Sequence, residues 1–265
     1  QEEAGDYKAF GLVVAGFFLA DRRFTEVGLI GALICAGLTL GLGFWWFKPR
    51  PMWQGILWGA LAQPVVFSLN NQMVGISNKL GITHLDAALY SPLPEETIKL
   101  LGVVIIVAAF KNVRHPYQAA AIGMAVGLGF DAMENVPFIL HAAIDNLDGD
   151  LWGVIITGIG RFFVGAFSHA LYTGVAAWGV GKLYAGARHG YWQVAGFWLA
   201  AIALHTLFNA SLIITGDWPV TFFLTALITW TLIIWGLRFI RKQEKKYAAQ
   251  SSENPLPTKD PEYSS

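Results

Sequence analysis

Residues 117–140 read YQAAAIGMAVGLGFDAMENVPFIL. The run is apolar over the ~20 residues that a helix needs to cross a bilayer core. Near its far end it carries Asp131, Glu134 and Asn135. Spacings of three and four place these groups on one helix face. An ionised side chain at the centre of a membrane helix costs roughly 2.5–3.5 kcal/mol on the insertion scale. The stretch therefore predicts a membrane-spanning helix that turns its polar face toward other helices. A satisfied inter-helix network is the plain reading, and a buried functional site the sharper one.

The rest of the chain has the same character. Of its 265 residues, 55% are hydrophobic and 14% charged, against roughly 45–50% apolar in soluble domains. Mean hydropathy is +0.49. Hydropathy and interfacial Trp predict spans at about 27–47, 53–74, 94–110, 117–140, 152–181, 192–214 and 219–239. Continuous runs exclude a β-barrel, which alternates over ten-residue segments. The expected fold is an all-α polytopic membrane protein, a bundle of about 7–8 transmembrane helices around a buried Glu/His site. Glycines such as Gly31, Gly123 and Gly127 suit close helix packing in lipid. Eighteen basic residues balance eighteen acidic ones, so no nucleic-acid partner is implied. Cys35 is the only cysteine, which rules out an internal disulfide and reads as a small core hydrophobe.

Three units follow. Residues 1–26 read as a short or interfacial helix, because the apolar run 9–20 lacks the basic start and cleavage site of a signal peptide. Residues 27–243 form the membrane domain. Residues 244–265, polar and Pro-containing, read as a disordered cytoplasmic tail. Basic residues set the orientation. Lys48 and Arg50, Lys111 and Arg114, Lys182 and Arg188, and the segment Arg238–Lys246 all fall on one side of seven spans. Asp145, Asp148, Asp150 and Asp217 fall on the other, together with Lys79 and Arg22-Arg23, which run against the trend. The C-terminus is thus cytoplasmic. Glu95, Glu96, Glu134, His169 and His205 then lie in the outer half of the membrane or near its middle.

Pro92-Leu-Pro94-Glu95-Glu96-Thr97-Ile98-Lys99 opens the third span. Proline and acidic residues suit a helix N-terminus, and Lys99 can neutralise one glutamate from three or four residues on. An interfacial capping turn is the plain alternative. The other glutamate is a candidate general base. Arg161 lies eight residues before His169, about two turns along the fifth span, and is placed to pair with Asp131 or a glutamate. His205 and Asn209, at i and i+4, can both donate to a developing oxyanion. His84, His115, His141 and His189 fall in loops or at span ends, where exposure is the ordinary reading.

Glu-Glu-x-x-Lys at 95–99, Phe-x-x-x-Glu-Asn at 130–135, Arg161 followed by His169 and Thr173, and His-x-x-x-Asn at 205–209 resemble the motifs of the PrsW family of membrane proteases. More distantly they resemble the type II CAAX prenyl endopeptidases, the glutamate intramembrane proteases. The resemblance runs from about residue 50 to 215. It implies a membrane-embedded endopeptidase of the site-1 type, which cuts single-span membrane proteins such as anti-sigma factors near the extracytoplasmic face of a bacterial cell membrane. Glu95, Glu96, Glu134, His169, His205 and Asn209 would be catalytic, supported by Lys99, Asp131, Asn135 and Arg161. The partners implied are a single-span substrate and membrane lipid, with the oligomeric state open.

No cofactor is required by this reading. Glu96, Glu134, His169 and His205 offer zinc-type ligands, although the His-Glu-x-x-His spacing is absent. The alternative from another class is a proton-coupled carrier, since buried Glu and His also build proton relays. Carriers often show inverted repeats, and none is visible here. The topology is testable by cysteine labelling in a Cys35→Ala background. A cysteine at Lys182 or Lys242 should react with an impermeant maleimide only after the membrane is opened, and one at Asp148 in intact cells. The reverse pattern would invert the orientation.

Overall fold

The computed structural model describes residues 26–47, 52–81, 90–110, 113, 115–165, 167–214 and 218–253. All regular structure among them is helical. The order is α1 (Glu26–Phe47), α2 (Met52–Lys79), α3 (Pro92–Ala109), α4 (Pro116–Asp145), α5 (Asp150–Gly160), a π-helical segment (Arg161–Gly165), α6 (Ser168–Tyr184), α7 (Gly190–Ile214) and α8 (Trp218–Glu253). Four stretches are long and apolar enough to cross a membrane by composition alone: Glu26–Trp45, Asp150–Tyr184, Gly190–Ser211 and Phe223–Tyr247. The remaining helices, α2, α3 and α4, carry the amides and carboxylates of the polar site.

Local chemistry sets the helix starts. Pro92 and Pro94 lie in the first turn of α3, where their missing N–H groups have no intrahelical partner to lose. α4 opens with Pro116 behind a capping box, in which the Gln118 amide oxygen accepts from the His115 N–H at 3.1 Å.

α4 is the central helix, and small residues let its neighbours approach. A Cβ on Gly129 would collide with the Ile56 backbone of α2, and one on Gly127 with the His169 backbone of α6. In lipid no hydrophobic force drives helices together, so such backbone proximity supplies the van der Waals packing that does. Ala119, Ile122 and Val126 of α4 bury against Val103 and Val107 of α3 and Ala176 and Val180 of α6.

The ends of the bundle sort by charge. His115 stacks on Tyr247 at 4.1 Å, joining the start of α4 to the end of α8. Gly181 of α6 meets Pro116 at that same end. Lys182, Arg238, Arg241 and Lys242 belong to it by position. Lys48, Arg50, Lys111, Arg114 and the expected 1–26 segment lie outside the described residues, apart from Glu26, which opens α1.

Two expectations need correction. The fifth span is not one continuous helix over 152–181. A straight helix over the 35 residues Asp150–Tyr184 would be ~52 Å long, well beyond the ~30 Å core. The chain breaks at Arg161–Gly165, and Phe167 takes a left-handed φ of 69°. That conformation costs a non-glycine residue about 1–2 kcal/mol, which burial of the Phe167 ring against Trp230 opposes. The second correction concerns the tail. α8 runs past residue 244 to Glu253, where Tyr247 gains the aromatic contacts of His115 and Tyr117. Residues 254–265 lie outside the described residues.

Gly129→Ala should destabilise the bundle by about 1–3 kcal/mol through overpacking, measured by SDS titration in mixed micelles. Gly37, which has nothing within 4 Å of an added Cβ, should tolerate the same change with less than about 0.5 kcal/mol of effect. Equal effects at both positions would remove close packing of α2 on α4 as the cause.

Candidate active site

The first two turns of α3 carry Glu95, Glu96 and Lys99, all buried. Helical spacing brings Lys99 back onto both carboxylates. Its ammonium lies 2.7 Å from Glu96 Oε1 and 3.7 Å from Glu95 Oε2. The two glutamates are not equivalent. Glu96 Oε1 also meets His205 Nδ1 at 3.0 Å, and Oε2 accepts from the Thr173 hydroxyl at 3.3 Å. Both oxygens of Glu96 are therefore occupied, by groups from α3, α6 and α7. Glu95 Oε1 accepts one bond, from Asn70 Nδ2 at 3.3 Å. Its Oε2 has no hydrogen-bond partner among the described residues, and stands 3.8 Å from both His205 Nε2 and His169 Nδ1.

His169 joins this group to a second one. Lys99 Nζ lies 2.7 Å from its Nδ1. An ammonium has only protons to give, so Nδ1 accepts and Nε2 carries the ring hydrogen. Nε2 then donates to Glu134 Oε2 at 3.2 Å. Arg161 donates to that same oxygen, Glu134 Oε2, and, at 2.7 Å through Nε, to Asn135 Oδ1. Asp131 Oδ1 stands 3.9 Å from His169 Nε2, and its Oδ2 lacks a hydrogen-bond partner among the described residues.

A cavity of about 290 Å³ adjoins both carboxylate groups. Glu95, Glu134 and Phe130 lie on its wall, together with Ser91 just before α3, Asn71 of α2 and His141 of α4. The cavity thus leaves room for water beside Glu95 and Glu134, although Glu95 is itself only 3% exposed, and Glu96 is fully buried behind them.

The structure brings together most of the residues singled out in the sequence: Glu95, Glu96, Lys99, Asp131, Glu134, Asn135, Arg161, His169 and His205. Asn209 stands apart, because its amide donates to Ser91 Oγ at 3.4 Å instead of facing the carboxylates. Arg161 and His169 converge on Glu134 across a break in the helix, not by the two-turn periodicity of a continuous one. Two contributors escaped the sequence reading, Asn70 and Gln63 of α2, which line the cavity; His141 of α4, read as exposed at a span end, is exposed and also lines it. Amides inside the apolar run 53–74 were the available signal for the first two.

The residues are of the types that hold a metal ion, although His169 would have to give up its Nδ1 bond from Lys99 to take part. Ligand atoms of Glu95, His169 and His205 lie within 4.8 Å of one another, as do those of Asp131, Glu134 and His169. The first set also has Glu96 on the far nitrogen of His205, the carboxylate–imidazole pairing that orients metal ligands. The expected grouping of Glu96 with Glu134 does not form, since Lys99, Thr173 and His205 Nδ1 already use the Glu96 oxygens.

A family model described as PrsW family intramembrane metalloprotease matches residues 48–236. Among curated proteins, Protease PrsW of Geobacillus kaustophilus (strain HTA426) is 26% identical over 172 residues, covering 64% of this chain and 69% of that protein. No solved structure matches.

Lys99→Met leaves Glu96 buried without its cation, and should cost about 3–5 kcal/mol of stability. Lys99→Met combined with Glu96→Gln should recover a large part of that loss. A double-mutant cycle in mixed micelles reads the coupling, and additive losses would mean that the pair is not a unit.

Proposed function

The chain belongs to the PrsW family of intramembrane proteases, and on that premise we propose that it cuts single-span membrane proteins, anti-sigma factors among them, with a glutamate-activated water near the extracytoplasmic face of a bacterial cell membrane. It is a membrane-embedded endopeptidase. The reading of its mechanism is carried by the unequal state of two adjacent glutamates. A general base needs a free lone pair within reach of water. Glu96 carries three hydrogen bonds and is shut away from the cavity, while Glu95 lies on the cavity wall and its Oε2 has no hydrogen-bond partner among the described residues.

In the proposed reaction Glu95 takes a proton from a water as its oxygen attacks the scissile carbonyl carbon. The carbonyl oxygen becomes a tetrahedral oxyanion. His205, as imidazolium, donates to it from Nε2, with the ring charge balanced by Glu96 at Nδ1. The His169–Glu134 pair, held by Arg161, orients the water. When the intermediate collapses, the C–N bond breaks and Glu95 passes its proton to the leaving nitrogen. The products are a carboxylate and an amine. Lys99 keeps Glu96 charged and in place, and Asn209 positions Ser91 on the cavity wall.

A metal-dependent variant draws support from the Glu95, His169 and His205 set. Those three would hold the ion, which would polarise the carbonyl and acidify a bound water. The two variants place opposite demands on His205 Nε2, a lone pair for the ion or a hydrogen for the oxyanion. Orientation and location rest on the basic end of the bundle, which suits a cytoplasmic C-terminus.

Glu95→Gln should lower cleavage of co-expressed single-span proteins at least about 100-fold, with the variant still membrane-inserted. Wild-type rates in Glu95→Gln would remove Glu95 from the chemistry. Stoichiometric zinc in the purified protein, with loss of activity on chelation, would select the metal variant. Absence of cleavage by the wild type across a panel of single-span proteins would overturn the substrate assignment.

A further inference from the structure

The amides of α2 form one wall of the same cavity, and apart from the Asn70 bond to Glu95 they have no part in the chemistry above. Gln63 and Asn70 both line it. They lie seven residues apart, two helical turns, and so share a face about 10.5 Å long. Gln63 is 4% exposed. Its Oε1 and Asn70 Oδ1 are buried oxygens without a hydrogen-bond partner among the described residues. Buried polar atoms are ordinarily paired, and an unpaired one costs about 1–3 kcal/mol by mutational measures. Two unpaired carbonyl oxygens on one cavity wall call for a ligand that donates.

Asn70 settles its own orientation. Its Nδ2 donates to the Glu95 carboxylate, and the flipped amide would set an oxygen against that negative charge. The side-chain carbonyl is therefore held away from Glu95. Around these amides the wall is apolar, built by Val66, Phe67, Val74, Phe130 and Phe138.

Peptide in the membrane poses the matching problem. A membrane helix bonds all its backbone groups internally, and hydrolysis requires the chain to unwind around the scissile bond. Unwinding releases backbone N–H groups, each expensive to leave unpaired in a low-dielectric site. We propose that Gln63 and Asn70 form a substrate subsite that accepts hydrogen bonds from the backbone N–H groups of an unwound peptide beside Glu95, with the apolar wall receiving its side chains. This inference rests on the endopeptidase reading of the same site and adds the class of ligand that α2 takes. The specificity expected is for apolar side chains flanking the cut, with recognition through the main chain. In this arrangement Gln63 is a binding residue, and Asn70 both binds peptide and positions Glu95.

The test uses the full chain in lipid nanodiscs and a synthetic single-span peptide that the wild type cleaves. Gln63→Met keeps length and removes the acceptor. KM should rise roughly 5- to 10-fold, the worth of one hydrogen bond, with kcat within about twofold. Asn70→Leu should raise KM and lower kcat together, because Glu95 loses its donor. N-methylation of single peptide nitrogens near the scissile bond supplies a readout that needs no change in the protein. At one position it should weaken the wild type by a similar factor and add little to Gln63→Met, the non-additivity of a shared bond. An unchanged KM in a folded Gln63→Met, or N-methyl effects that add fully to it, would overturn the subsite and leave the peptidase reading intact. Failure of the wild type to cut any single-span peptide would overturn both.

Discussion

The buried ion pair between Lys99 and Glu96 is the constraint on which the rest of the site depends. Both side chains are fully enclosed, and each ion loses several kcal/mol of hydration on entering the interior. Only good geometry and further hydrogen bonds offset that loss. Thr173 and His169 of α6 and His205 of α7 supply them. The register of α3 against α6 and α7 is therefore tied to a handful of polar atoms. Apolar packing in lipid could not set that register, since lipid tails are as apolar as Leu.

Sequence neighbours receive different surroundings from the same helix turn. Glu96 points toward α6 and α7 and carries three hydrogen bonds, whereas Glu95 points toward α2 and the cavity. A single residue of helix rotation, about 100°, separates an anchor from a candidate base. The second carboxylate group repeats the arrangement, with Glu134 held by Arg161 and His169 while Asp131 keeps one oxygen free of hydrogen bonds among the described residues. His169 bridges the two groups, so a proton movement in one is felt in the other.

Several features were legible before any coordinates. The 117–140 run declared both a helix and its polar face, because its carboxylates and amide sat at helical spacing in an otherwise apolar stretch. Lys99 was readable as the partner of a glutamate for the same reason. The break at 161–167 was not. Residues 152–160 and 162–167 are almost uninterrupted apolar sequence without proline, and Gly153, Gly158, Gly160 and Gly165 weaken a helix there without marking where it would break. The break coincides with the point where Arg161 turns to reach Glu134, a contact between helices that no local pattern announces. Asn70 and Gln63 were passed over because amides weigh little in hydropathy, and their importance depends on what faces them across the cavity.

The sequence by itself determined that this chain is a helical membrane protein, which end carries its positive charge, and which ionisable residues had to find one another. Those follow from composition and from one-dimensional periodicity, because the bilayer penalises each isolated charge strongly enough to leave its mark on the spacing. Tertiary structure alone decided which glutamate is bonded away from the cavity and which lies on its wall, that Asn209 serves Ser91, and that α2 contributes a polar wall. These depend on the rotation of each helix about its axis and on backbone approach at glycines such as Gly127 and Gly129, and neither is written in the periodicity of a single segment.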